Sequence, residues 1–168
     1  GHLQEMWKKN ADRIAGYLQE EKTGVFLTLG DPSVYSTFMY TLPYMKAAGI
    51  DTDIIPGITS FCAAAASART PLVSWNESLV IMPVRKNSSD SLTKIIEEND
   101  NVVLMKPSAD REALLQTLRD NSEDSCFYLV SRAGTDQESV VNNPVDLSGT
   151  DIPYLSTVIV KKRKNLDN

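Results

Sequence analysis

One stretch constrains this chain more than any other. The apolar run Val25-Phe26-Leu27-Thr28-Leu29 breaks directly into Gly30-Asp31-Pro32. A run of that length predicts a strand buried on both faces, as parallel sheets require. A glycine directly after it lets a ligand approach the backbone. The loop would then lie at the carboxyl end of the strand, where open α/β sheets bind ligands. A helix from about Ser33 to Ala48, closed by Gly49, and a short strand Asp53-Ile54-Ile55, stopped by Pro56-Gly57, complete a βαβ unit. A right-handed crossover places both strands in one parallel sheet.

A helix from Leu3 to Glu20 precedes this unit. Leu3, Trp7, Ala11, Ile14 and Leu18 share its apolar face, and Gly24 supplies a stop. Beyond Gly57 the composition turns alanine-rich, and Ile58 to Ala68 predicts a tightly packed helix ended by Arg69-Thr70-Pro71. Alternation then resumes. Strands are expected at Leu79–Val84, Val102–Met105, Cys126–Ser131, Glu138–Val141 and Leu155–Val160. Helices are expected from Ser88-Ser89 to Glu98 and from Asp110 to about Arg119. The reading is an α/β protein of two domains, 1–57 and 58–168. The first is undersized, because one βαβ unit and one helix cannot cover a parallel sheet on both faces.

The 168 residues suffice for a real core, and 42% apolar with 23% charged residues is ordinary for a globular protein. No apolar run approaches bilayer length and no signal peptide is visible, so a cytoplasmic protein is expected, with no membrane partner. A formal net charge of −5 argues against nucleic acid as a partner. The basic tail Lys161-Lys162-Arg163-Lys164 reads as a solvated chain end. Cys62 and Cys126 have no Cys or His at metal-ligand spacing, so no metal is expected, and both read as small buried residues. The only histidine is His2, at the extreme N-terminus, so no histidine-dependent catalysis is expected.

Two segments could carry chemistry. In Leu27-Thr28-Leu29-Gly30-Asp31-Pro32-Ser33-Val34-Tyr35-Ser36, Asp31 adds a carboxylate to the crevice, able to hold an amine or a hydroxyl. The same residues also fit a plain helix start, with Asp31 or Ser33 as cap and Pro32 in the first turn. In Ile54-Ile55-Pro56-Gly57-Ile58-Thr59-Ser60-Phe61 a strand again ends in a glycine turn, and Thr59 or Ser60 could simply cap the following helix. Two such loops on neighbouring parallel strands would converge on one crevice.

Taken together, Gly-Asp-Pro-x-x-Tyr after an apolar strand, then Pro-Gly-Ile-Thr-Ser and an alanine-rich stretch, resemble the tetrapyrrole methylase family. Leu27 to Thr37 and Ser131-Arg132-Ala133-Gly134-Thr135 look most like its members that methylate precorrin-2 or cobalt-precorrin-2 at C20. The resemblance spans essentially the whole chain. It implies a two-domain α/β fold unlike the Rossmann methyltransferases, S-adenosylmethionine as cofactor, a tetrapyrrole substrate and a homodimer. Residue by residue, it assigns Gly30, Asp31, Val34, Thr59, Ser60, Met105, Ala133 and Gly134 to the cofactor. The family's opening strand and Gly-x-Gly-Pro-Gly-Asp loop have no counterpart here, so a truncated first domain and impaired activity are expected.

Methyl transfer to a nucleophilic carbon chiefly needs nucleophile, methyl and sulfur in line, and such positioning is worth roughly 7–11 kcal/mol. No general base is assigned, although Asp31 could take a proton. Arg69, Arg85, Lys86, Lys106 and Arg132 lie near predicted loop ends, and Arg132, beside a predicted cofactor loop, is the first choice to hold a substrate carboxylate. Three alternatives stand beside this reading. One is another family member, such as a uroporphyrinogen-III methyltransferase or a diphthine synthase. The second is an inactive, self-associating fragment. The third is an unrelated nucleotide-binding domain, although both common glycine-rich nucleotide loops are absent.

Overall fold

The computed structural model of the chain describes residues 1–18, 22–144 and 152–163. The chain divides into two compact units, Gly1–Thr59 and Ser60–Asn168.

In the first unit, helix α1 (His2–Tyr17) packs on helix α2 (Phe38–Ala47). Ala11 and Met45 are buried between them, and Trp7 stacks on Tyr40 with ring centroids 4.8 Å apart. The predicted face of α1 is therefore used, except that Leu3 stays 60% exposed. Residues 19 and 20 of the predicted helix lie outside the described residues. Gly24 is not the helix stop, since α1 is capped at Leu18. Helix α2 starts at Phe38, later than the expected Ser33. Asp31 to Val34 close a turn first, and Tyr35 takes a left-handed φ of 53° that no helix accepts. Gly49, at φ 75°, ends α2 as expected.

The two predicted strands of this unit do not form. Neither Val25–Leu29 nor Asp53–Ile55 joins a ladder, and Leu27, Leu29 and Ile55 are each more than four-fifths exposed. A parallel strand needs partners for its backbone groups and cover on both faces. Among the described residues this unit offers two helices and no ladder partner.

The second unit follows the sequence closely. Helix α3 (Ser60–Ser67) leads to strand β1 (Leu79–Pro83), helix α4 (Ser89–Glu98), strand β2 (Asn101–Met105), helix α5 (Arg111–Asp120) and strands β3 (Ser125–Ser131), β4 (Ser139–Asn142) and β5 (Ser156–Lys162). The sheet order is β1-β2-β5-β3-β4. Strands β1 and β2 are parallel, and β5 runs antiparallel to both β2 and β3. Residue alternation sends Val102, Leu104, Phe127, Leu129, Val158 and Val160 to one face, under Leu92 and Ile96 of α4 and Leu114 and Leu118 of α5. Val130 and Ile159 point to the other face, against Ala64 and Ala65 of α3. The alanines let that short helix lie close to the sheet. Phe127 is 1% exposed at the centre of the larger core. Phe127→Ala should lower the unfolding free energy by about 3–5 kcal/mol in urea titration.

Two expectations fail in this unit. Cys62 is exposed on the side of α3 away from Ala64 and Ala65, and Cys126 is half-buried near the start of β3, on the face opposite Phe127. Lys161 is not a solvated tail residue. It continues β5, the central strand, and is 1% exposed. Arg163 does lie at the surface, and Lys164 is outside the described residues.

Candidate functional site

The glycine loops of the first unit meet. Asp31 holds them together. Its Oδ1 accepts from the Ser33 backbone N–H at 2.8 Å and from the Ser33 hydroxyl, and its Oδ2 accepts from the Gly57 N–H at 3.0 Å. Gly57 lies so close that a Cβ there would collide with the Gly30 carbonyl oxygen and sit 3.1 Å from the Gly30 carbonyl carbon. Gly30 turns at a φ of 80°, which glycine alone adopts without strain. The bonds from Ser33, chiefly its hydroxyl, and then from Gly57 hold the Asp31 carboxyl below the ordinary carboxylate range. Three of the roughly four acceptor positions of a carboxylate are thus used inside the protein. One remains for a ligand. Val34 is half-buried just beyond, and Thr59, also half-buried, is the last residue of the unit.

In the second unit the remaining candidates gather at one end of the sheet. Strands β1, β2 and β3 run in the same direction, so their carboxyl ends share an edge. The Ser60 hydroxyl, at the start of α3, points to the Met105 sulfur at the end of β2, 3.7 Å away. Ala133 packs on the smaller core, and Gly134 turns at φ 75°. Glu138 ties this loop as Asp31 ties the other. Its Oε2 accepts from the Gly134 N–H and from the Ser67 hydroxyl, both at 2.7 Å, which holds its carboxyl low. Sequence reading missed Glu138 and Ser67 in this role, because nothing in their spacing announces a bond between a helix end and a distant loop.

Arg132 stands at the same edge, exposed, with its guanidinium donating to Gln137 Oε1 at 2.6 Å. Lys106 occupies the equivalent place after β2. Both have left-handed backbones, at φ 52° and 54°, a conformation costing a side-chain-bearing residue roughly 1–2 kcal/mol. Among the described residues, no group of three or more His, Cys, Asp or Glu could hold a metal ion. No described helix is long and apolar enough to cross a membrane. A shallow depression of about 420 Å³ beside α4 and α5 contains none of the candidate residues.

Residues 1–147 match the family model of the Tetrapyrrole (Corrin/Porphyrin) Methylases. The chain belongs to this family. A relative described as a probable cobalt-precorrin-2 C(20)-methyltransferase, from Methanocaldococcus jannaschii, is 34% identical over 96% of this chain and 67% of its own length. The chain spans about two thirds of the length of this relative and of the cobalt-precorrin-2 C(20)-methyltransferase of Salmonella typhimurium. The X-ray structure of the cobalt precorrin-4 methyltransferase CbiF superposes with a TM-score of 0.73 at 23% identity, covering 96% of this chain and 71% of that one. A uroporphyrin-III C-methyl transferase from Thermus thermophilus, complexed with S-adenosyl homocysteine, does so with a TM-score of 0.71 at 17% identity, covering 99% and 76%. The family is one of methyltransferases, and its fold is that of these structures.

Proposed function

We propose that the protein methylates precorrin-2 or cobalt-precorrin-2 at C20 in cobalamin biosynthesis, with S-adenosylmethionine as methyl donor. The observation that carries the reading is the closure of the Gly30-Asp31 loop on Gly57 through one carboxylate. It joins Gly30 and Asp31, which the family resemblance assigns to the cofactor, to the turn at Gly57, in a small-residue cradle whose backbone groups can meet a ligand. The domains are read as 1–57 and 58–168, and the cofactor set as Gly30, Asp31, Val34, Thr59, Ser60, Met105, Ala133 and Gly134. The 34% identical relative supports the position of methylation.

The cofactor would supply an electrophilic methyl on a sulfonium sulfur. The chain's own part is positioning. Gly30 and Gly134 let backbone approach the ligand, Asp31 and Glu138 fix the two loops, and Met105 with Val34 offers apolar contact. Arg132 would hold a substrate carboxylate. No proton needs to move through a dedicated base for the methyl to transfer in line.

Calorimetric titration with S-adenosylhomocysteine tests the reading. Saturable binding is expected, weakened about tenfold or more in Asp31→Ala, which releases Ser33 and Gly57 together. Because the folded-state pKa of Asp31 lies below 3.8, the tie is fully present above that value and is lost as pH falls through the lowered one. Affinity should therefore be flat between about pH 5 and 8. Absence of saturable binding would remove the cofactor assignment. Methyl transfer to uroporphyrinogen III in place of precorrin-2 would move the protein to another branch of the family.

A further inference from the structure

We propose that α3 is a two-ended spacer that sets the distance between the Met105 end of β2 and the Gly134 turn beyond β3, and that Ser67 is the positioning residue through which it acts. The inference rests on the proposed function, which assigns both points to the cofactor, and adds to it the element that holds them at a fixed span.

The spans agree. Ser60 and Ser67 are the first and last residues of α3. Their separation is two helical turns, so both hydroxyls fall on one face, about 10 Å apart along the axis. In the sheet, Met105 of β2 pairs with Thr157 of β5, which pairs with Val130 of β3. Two strand spacings, again about 10 Å, therefore separate the ends of β2 and β3. The helix meets both. The Ser60 hydroxyl points to the Met105 sulfur, and the Ser67 hydroxyl donates to Glu138 Oε2 in the loop after β3.

The helix is fixed between these contacts. Ala64 and Ala65 lie directly on Val130 and Ile159 of the sheet. Beyond Ser67, the Arg69 N–H donates to the Ala66 carbonyl and the Thr70 N–H to the Ala65 carbonyl, with Arg69 at a φ of 52°. This pair of bonds is a Schellman closure, which ends a helix at a set residue. The Ser67 hydroxyl has two acceptors in reach, the Ala63 carbonyl at 3.1 Å and the Glu138 carboxylate at 2.7 Å. The charged acceptor gives the stronger bond.

The Gly134 turn depends on this end of the helix. Ala133 packs on the smaller core, but no heavy atom lies within 4 Å of the place a Cβ on Gly134 would take. Packing stops one residue short, so hydrogen bonds set where the Gly134 backbone stands. One oxygen, Glu138 Oε2, accepts from both the Gly134 N–H and the Ser67 hydroxyl. The turn is thereby attached to α3 through a single atom. The same two bonds, the Gly134 N–H first, hold the Glu138 carboxyl low, so the tie is charged throughout the neutral range.

Ser67→Ala should separate binding from stability. Alanine is the better helix former, so the melting temperature should change little. Affinity for S-adenosylhomocysteine, read by calorimetry, should fall about tenfold. Ser67→Thr keeps the hydroxyl and should bind nearly as the wild type does. Glu138→Gln keeps an oxygen with two acceptor positions and should also bind nearly normally, whereas Glu138→Ala should lose about tenfold or more. In Ser67→Ala combined with Glu138→Ala the losses should not add, because both break one connection. Gln116→Ala, which breaks an exposed bond to Asp120 on α5, is the control and should bind normally. With a wild type that binds, unchanged affinity in Ser67→Ala or additive losses in the double variant overturn the spacer alone. A wild type that does not bind S-adenosylhomocysteine strikes the proposed function and this role with it, so the two failures are distinguishable.

Discussion

Lys161→Met should destabilise the Ser60–Asn168 unit by on the order of 3 kcal/mol at neutral pH, the largest loss expected from any single charged residue here. The ammonium donates to the Asn101 Oδ1 at 2.7 Å and to the carbonyls of Pro71 at 2.8 Å and Leu72 at 3.4 Å. Asn101 in turn donates to Glu77 and to the Ser78 carbonyl, and Glu77 accepts from the Ser74 N–H. One buried cation thereby anchors the whole connection from α3 to β1. Methionine fills the volume and donates nothing, so the buried Asn101 amide oxygen and the Pro71 and Leu72 carbonyls lose their donor. Burial pushes the Lys161 pKa below its ordinary value of 10.5, with the Glu77 carboxylate opposing the shift. Between the lowered value and 10.5, the unfolded chain binds more protons than the folded one. The stability of the wild type relative to Lys161→Met therefore rises with pH through that window and levels off above it. Urea unfolding at neutral and alkaline pH reads both effects. A variant as stable as the wild type at pH 7 would show that the network contributes nothing.

Gly57→Ala should cost about a hundredfold in S-adenosylhomocysteine affinity with little effect on the second unit. The added Cβ meets the Gly30 carbonyl, a backbone atom that cannot rotate away, and lies 3.5 Å from the Asp31 Cα. Relief requires the loops to part, which also stretches the 3.0 Å bond from the Gly57 N–H to Asp31. Loss of a bond to a charged acceptor is worth about 1.5–3 kcal/mol, and about 3 kcal/mol corresponds to that factor in affinity. Gly16→Ala is the matched control: it meets no heavy atom within 4 Å and lies inside α1, where alanine is the better helix former. Normal binding by Gly57→Ala would mean that the paired loops are not part of the cofactor site.

Much of the second unit was legible in the chain because each element carries its own local signal. Leu79–Pro83, Asn101–Met105 and Ser125–Ser131 are apolar runs bounded by polar or turn-forming residues. Asp110, read as the first residue of α5, instead caps it by accepting from the Ala113 N–H. Ser88 precedes α4 as read, but its hydroxyl donates to the Arg85 carbonyl instead of capping the helix. The candidate loops were legible as well, since Gly30 and Gly57 do come together and Ser60 does reach Met105. Their mechanism was not. Asp31 reads in sequence as a ligand contact, and in the structure it first ties one loop to the other across 26 residues.

The amino-acid sequence by itself determined the family, the alternation of the second unit and the two glycine loops, because periodicity, turn residues and short motifs are properties of neighbours along the chain. Tertiary structure decided the rest. Val25–Leu29 is as apolar as any strand in the chain, yet it joins no ladder, because strand formation depends on a partner that local composition does not encode. Lys161 reads as part of a basic tail, yet it is among the most buried residues, because β5 runs through the middle of the sheet with a core on either face. Where a side chain ends up depends on what covers it, and that is settled only when distant segments meet.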